Sequence, residues 1–155
     1  MDKKAGINFR IATINVNGFN GRQTLYDMIK QKKIDILCIQ ETHIKDKDGI
    51  ELIKEMKDNG ARNVFLSAGT NMSAGVGIIL GKKLKYVPTS LYIRPKGRVI
   101  TLDIQTRSKE IIHLVNIYAP VNSSKLIQNK FYAEIDLYVN SNYPTTCMSK
   151  QTIQR

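Results

Sequence analysis

Ile7, Phe9 and Ile11 alternate with polar neighbours, and Ile14 and Val16 continue the apolar positions after a register change at Ala12-Thr13. Such alternation predicts a strand of about ten residues, ended by Asn17-Gly18. Asn20-Gly21-Arg22-Gln23 has the form of a capping box, a side-chain acceptor followed three residues later by Gln. Leu25, Met28 and Ile29 then give one apolar helical face, in a helix ending near Lys33. The run Ile34 to Ile39 is almost continuously apolar, the mark of a strand covered on both faces. Strand, helix and strand in this order make a βαβ unit, which predicts a parallel pair joined by a right-handed crossover.

Asp48 with Glu51 forms a second capping box, Leu52, Ile53 and Met56 carry the helix, and Asn59-Gly60 stops it. The pattern then changes to strands: Val64-Phe65-Leu66, Gly75 to Leu80, Val99 to Ile104 and Ile111 to Tyr118. Ile100, Leu102 and Ile104 alternate cleanly, so that strand is expected to have one wet face. Ile127, Phe131, Ile135 and Tyr138 recur at helical spacing, predicting a third amphipathic helix from Ser124 to Val139. The order βαβα, four strands, α is an α/β fold with mixed strand pairing. Beyond Val139 the periodicity stops.

Length and composition narrow the picture. The chain has 155 residues, 42% of them hydrophobic, which suits one domain with a real core. No apolar run approaches the ~20 residues of a membrane span, and no apolar segment follows Met1-Asp2-Lys3-Lys4 to make a secretory signal. Cys38 and Cys147 provide neither a disulfide framework nor a zinc cluster, so a reducing, intracellular compartment is expected. The net charge is +11, with 12 basic and 9 acidic residues in 1–77 but 12 and 4 in 78–155. That imbalance points to a polyanionic partner, nucleic acid before membrane. A solvated basic face reads the same charges equally well.

Three polar clusters follow apolar strands directly: Asn15-Val16-Asn17-Gly18, Gln40-Glu41-Thr42-His43, and Asn116-Ile117-Tyr118-Ala119-Pro120. If the first two strands are parallel, Asn15 and Glu41 project from the same sheet edge, where α/β sheets place their sites. A carboxylate beside an amide suits a hard divalent cation such as Mg²⁺. The plainer alternative is a turn signal at Asn17-Gly18 and a Glu that is simply the first exposed residue after its strand. His113 lies inside a strand and reads as a packed or surface position, and His43 as a loop residue within reach of a site.

The three clusters, in order and with suitable separations, resemble the endonuclease/exonuclease/phosphatase superfamily. They look most like the apurinic-endonuclease-like domain of LINE-type non-LTR retrotransposons. Gly75-Val76-Gly77-Ile78-Ile79-Leu80 and Gly97-Arg98-Val99-Ile100 fit the same group. The resemblance implies a four-layer α/β sandwich, two sheets face to face with helices outside, and a Mg²⁺-dependent phosphodiester hydrolase acting on DNA. It implies that Glu41 ligates the metal, that Asn15 lines the metal and phosphate site, and that Tyr118 reaches the scissile phosphate. Asn15, Glu41 and Tyr118 are thus the candidate catalytic residues, with Glu41 and Asn15 as candidate metal ligands. Lys82, Lys83, Lys85, Arg94, Lys96 and Arg98 fall within 17 positions and form the candidate nucleic-acid-binding cluster, expected to flank Glu41.

The family pattern continues with a Gly-Asp-Phe-Asn strand, a further Asp and a His. Here no Asp or Glu follows Asp136 and no His follows His113. The sequence reads as the first half of the sandwich, residues 1–140, with an off-pattern tail over 141–155. It is expected to be inactive and to leave apolar surface of one inner sheet face uncovered. Two other functions stay open: a non-enzymatic nucleic-acid-binding remnant or adaptor, and a phosphatase acting on a small phosphorylated molecule. A nuclear site of action would follow from chromosomal DNA as the substrate.

Overall fold

The structure, a computed structural model, describes residues 9–30, 34–69, 73–82, 84–107 and 109–143. Ile7, Lys33, Lys83 and the tail from 144 onward, with Cys147, lie outside the described residues. The chain divides into two compact units, Met1–Tyr118 and Ala119–Arg155.

In the first unit, β1 (Ile11–Asn15) leads through a 3-10 turn into α1 (Arg22–Lys30), then β2 (Ile36–Gln40). A second 3-10 turn enters α2 (Gly49–Asp58), followed by β3 (Ala61–Ser67), β4 (Val76–Gly81), β5 (Val87–Tyr92), β6 (Val99–Gln105) and β7 (Ile111–Ile117). β1 and β2 are parallel, from Ile11 opposite Ile36 to Asn15 opposite Gln40. The first sheet has the order β1-β2-β4-β3, and β4 runs antiparallel to both its neighbours. The second, β5-β6-β7, is antiparallel throughout.

Side-chain alternation builds two cores on the two faces of the first sheet. Leu37, Ile39 and Ile79 pack with Leu25, Tyr26 and Ile29 of α1 and with Leu52 and Met56 of α2. Ile36, Val76, Ile78 and Leu80 point the other way and meet Ile100, Leu102, Ile104 and Leu114 of the second sheet. β4 is therefore buried along its whole length. The helices, the first sheet and the second sheet form successive layers of an α/β sandwich. The exposed apolar side chains of this unit's strands lie on β1, β5 and β7 (Ile11, Val87, Leu91, Ile111 and Val115). These are sheet-edge strands, whereas the inner faces meet each other.

Several local expectations change. β5 is a fifth strand after α2 that the apolar pattern does not announce. It carries Pro88 and four exposed residues, because an edge strand needs neither a full ladder nor an apolar face. β6 lacks the expected wet face: Thr101 and Val99 are buried as well, as befits the middle strand of three. Asp103, on that second face, meets His113 Nδ1 at 2.7 Å and accepts from Ser90 Oγ at 2.8 Å. Neither early capping box works as read. Asn20 lies inside the 3-10 turn, and Asp48 is already helical, so its side chain makes no capping bond.

In the second unit, α3 (Lys125–Asn142) begins at Ser124, whose hydroxyl accepts from Ile127 N at 3.4 Å. Among the described residues no helix is long and apolar enough to cross a membrane.

Candidate active site

Because β1 and β2 are parallel and in register, Asn15 ends one strand where Glu41 leaves the other. Asn15 Nδ2 donates to Glu41 Oε1 at 2.7 Å. Its Oδ1 accepts from the Asn17 backbone N–H at 3.0 Å, which fixes the amide's orientation, since that N–H can only donate. The Glu41 loop is tied to the β1 end by Gly18 N donating to Glu41 O at 2.7 Å.

The same loop is held from the other side by the entry to β4. Thr42 N donates to Gly75 O and His43 N to Ala74 O, while Gly75 N donates to Gly97 O. Gly97 N in turn donates to the buried Ser67 hydroxyl at 2.7 Å. These bonds sustain a left-handed backbone at Glu41 (φ 54°) and His43 (φ 52°), a conformation that disfavours residues bearing a Cβ. The result aims the Glu41 carboxylate along the sheet edge, three-quarters covered, with His43 Nε2 3.9 Å from its Oε2.

Tyr118 arrives from β7. Its backbone N–H donates to Arg98 O at 2.7 Å, and the Arg98 guanidinium lies 5.4 Å from the centre of its ring. The phenol lies beside the Glu41 carboxylate. Its pKa is raised by burial first and then by its interaction with that carboxylate and the carboxylate's charge, while the Arg98 charge acts in the opposite direction. Asn15, Glu41 and Tyr118, separated by up to 103 positions of sequence, thus meet at one edge.

The basic cluster is divided. Gly97 and Arg98 contact the site directly, and Arg94 and Lys96 belong to the same β5–β6 connection. Lys96 is paired with Asp46. Lys82 follows the far end of β4, roughly 20 Å away at the rise of an extended strand, and Lys85 precedes the far end of β5. A sequence window cannot reveal this, because a β-strand carries neighbours in sequence to opposite ends of a sheet. His113 faces Asp103, on the second sheet.

Sequence reasoning gave Gly75 and Gly97 only a supporting part. A Cβ on Gly75 would overlap the Thr42 hydroxyl, and one on Gly97 would meet the backbone at Gly69. Isolated glycines at strand ends were the available signal of close backbone approach.

The sequence profile of the Endonuclease/Exonuclease/phosphatase family matches residues 12–145. The chain belongs to this family. Endonuclease/exonuclease/phosphatase domains are phosphodiester-hydrolase-type proteins and are generally metal-dependent, which gives the Glu41 edge its chemical context. The donor set here is a single carboxylate. Among the described residues no three of His, Cys, Asp and Glu converge on one point. That set fits a hard cation that keeps several waters and takes its remaining oxygens from a substrate phosphate. It does not fit a closed zinc site. The Asn15 amide presents N–H to Glu41 and spends its oxygen on Asn17. The two groups expected to share an ion are joined to each other.

Proposed function

We propose that this chain carries the carboxylate-and-tyrosine part of a Mg²⁺-dependent phosphodiesterase site acting on DNA, of the non-LTR retrotransposon endonuclease type. The carrying observation is the Glu41 carboxylate, bonded to the Asn15 amide and with the Tyr118 phenol beside it at a shared strand edge. In this reading Glu41 holds the metal, which when bound polarises a phosphoryl oxygen and offsets charge during in-line attack. Asn15 orients the carboxylate. Tyr118 hydrogen-bonds the phosphate side of the site, and Arg98 supplies a fixed positive charge behind it. Arg94 and Arg98 help hold the DNA backbone irrespective of sequence.

The 155-residue chain by itself turns over little. A general base contributes typically 10²–10⁴-fold, and among the described residues no group of three His, Cys, Asp or Glu side chains gathers at Glu41 to supply one. Binding without turnover would leave a nucleic-acid-binding protein. Its place of action is nuclear if the DNA is chromosomal.

The test pairs metal binding with plasmid nicking. Mn²⁺, used as a paramagnetic stand-in for Mg²⁺, should broaden NMR signals of residues 15–18 and 41–43 in wild type and not in Glu41→Ala. Supercoiled plasmid should be nicked at background level by both. Broadening that survives Glu41→Ala, or occurs elsewhere, overturns the metal reading. Robust nicking abolished by Glu41→Ala overturns the inactivity.

A further inference from the structure

We infer that Asn116 is a positioning residue that fixes Glu41 against Tyr118 across the two sheets, without itself touching substrate; its functional meaning rests on the phosphodiesterase reading above.

Asn116 belongs to β7 and is 3% exposed. Its amide reaches out of the second sheet into the first. Nδ2 donates to Ile39 O at 3.0 Å and to Gly77 O at 2.8 Å, on the paired strands β2 and β4. Oδ1 accepts from Gln40 Nε2 at 2.6 Å. Gln40 Nε2 also donates to Thr13 Oγ1 of β1 at 2.9 Å. One buried side chain therefore joins β7 to β2 and β4 directly, and to β1 through one intermediary. Both amide protons and the amide oxygen are satisfied, as a buried polar group requires.

The placement gives this link its purpose. Gln40 immediately precedes Glu41, Thr13 lies two residues before Asn15, and Asn116 lies two residues before Tyr118. The inter-sheet contact further along is made by Ile36, Ile78, Leu80, Ile100 and Leu102. Apolar burial is non-directional and tolerates small shifts of one sheet over the other. Hydrogen bonds in a dry interior do not, because an amide displaced from its acceptors keeps its desolvation cost. An apolar side chain of similar volume would fill the space at position 116 with no polar group to satisfy. A fully bonded Asn there sets register, a use known for buried polar groups.

The test reads the Glu41–Tyr118 contact itself. In the full chain labelled at tyrosine Cζ, with the Tyr118 signal assigned by Tyr118→Phe, Glu41→Ala should move that signal at neutral pH. In an Asn116→Leu background the same change should no longer move it, and Mn²⁺ affinity at Glu41 should fall about tenfold, as for other outer-sphere partners. Leu102→Ala, a cavity in the same inter-sheet core, should lower stability and leave both readouts intact. If Asn116→Leu does not fold, Gln40→Met removes the bond to Asn116 Oδ1 from a half-buried position and takes its place. Undiminished coupling in the folded variant, or equal loss of coupling in Leu102→Ala, overturns the inference. Failure of the phosphodiesterase reading shows separately, as wild type binding no Mn²⁺ that Glu41→Ala removes. The tyrosine signal then still decides whether Asn116 sets the contact.

Discussion

Glu41 and His43 hold a backbone conformation that glycine prefers, and Gly75 is the residue packed beneath them. Gly75 has a positive φ of its own, 97°, so Gly75→Ala combines backbone strain with overlap at the buried Thr42 hydroxyl. It should cost at least ~2 kcal/mol in a denaturant titration. A loss under ~0.5 kcal/mol would mean that the loop adapts freely. Cys38 offers a second residue-scale prediction. Burial pushes its thiol from the ordinary value of 9.0 to about 11. The folded state keeps that proton where the unfolded chain releases it. The associated stability is complete below pH 9 and is lost as pH rises from 9 towards 11. The alkaline decline should be shallower in Cys38→Ala than in wild type. At pH 8, in a Cys147→Ser background, a thiol reagent should modify Cys38 far faster in denaturant than in buffer.

Elements that look alike in sequence behave differently once their approach is fixed. Asp48 and Ser124 both precede helices and both have capping side chains. The chain enters α2 through a 3-10 turn, which makes Asp48 helical (ψ −9°), and its carboxylate makes no capping bond. Ser124 is extended (ψ 154°), and its hydroxyl reaches Ile127 N. Ser124→Ala should therefore cost ~0.5–1 kcal/mol. Asp48→Ala should cost only the ~0.3 kcal/mol of a first-turn charge near the helix dipole. Equal costs in thermal unfolding would contradict the difference in geometry. β5 makes the same point for strands. Val87-Pro88-Thr89-Ser90-Leu91-Tyr92 has no apolar alternation of its own and is ordered by pairing with β6, whose Ile104, Leu102 and Thr101 stand opposite Pro88, Leu91 and Tyr92.

On the scale of the molecule, the arrangement of charge decides more than its sum. Arg94 and Arg98 stand with the loops around Glu41, Lys96 is engaged by Asp46, and Lys82 and Lys85 are at the other end of the sheets. If duplex DNA binds across the Glu41 edge, Arg94→Glu with Arg98→Glu should weaken it and flatten its salt dependence by about 0.9 in log–log slope per lost phosphate contact. Lys82→Glu with Lys85→Glu should do neither. Titrations of a labelled duplex at several salt concentrations make the comparison. An effect confined to the Lys82 and Lys85 pair would move the DNA surface away from Glu41.

The sequence by itself determined the elements whose burial is periodic or continuous. α1 and α2, the parallel pair β1 and β2, and the strands at β4, β6 and β7 follow from local alternation, because each carries the apolar face that it buries. It also marked Asn15, Glu41 and Tyr118, since polar groups that end apolar strands lie where strand edges meet. Only the tertiary structure decided that Asn15 donates to Glu41 instead of offering its oxygen, and that Arg98 lies over Tyr118. It also decided that Asn116 reaches into the facing sheet and that the lysines and arginines divide between two ends. Those outcomes depend on which strands become neighbours and on the direction in which each runs. Periodicity along one strand reports its buried face and carries no record of the strand that will lie beside it.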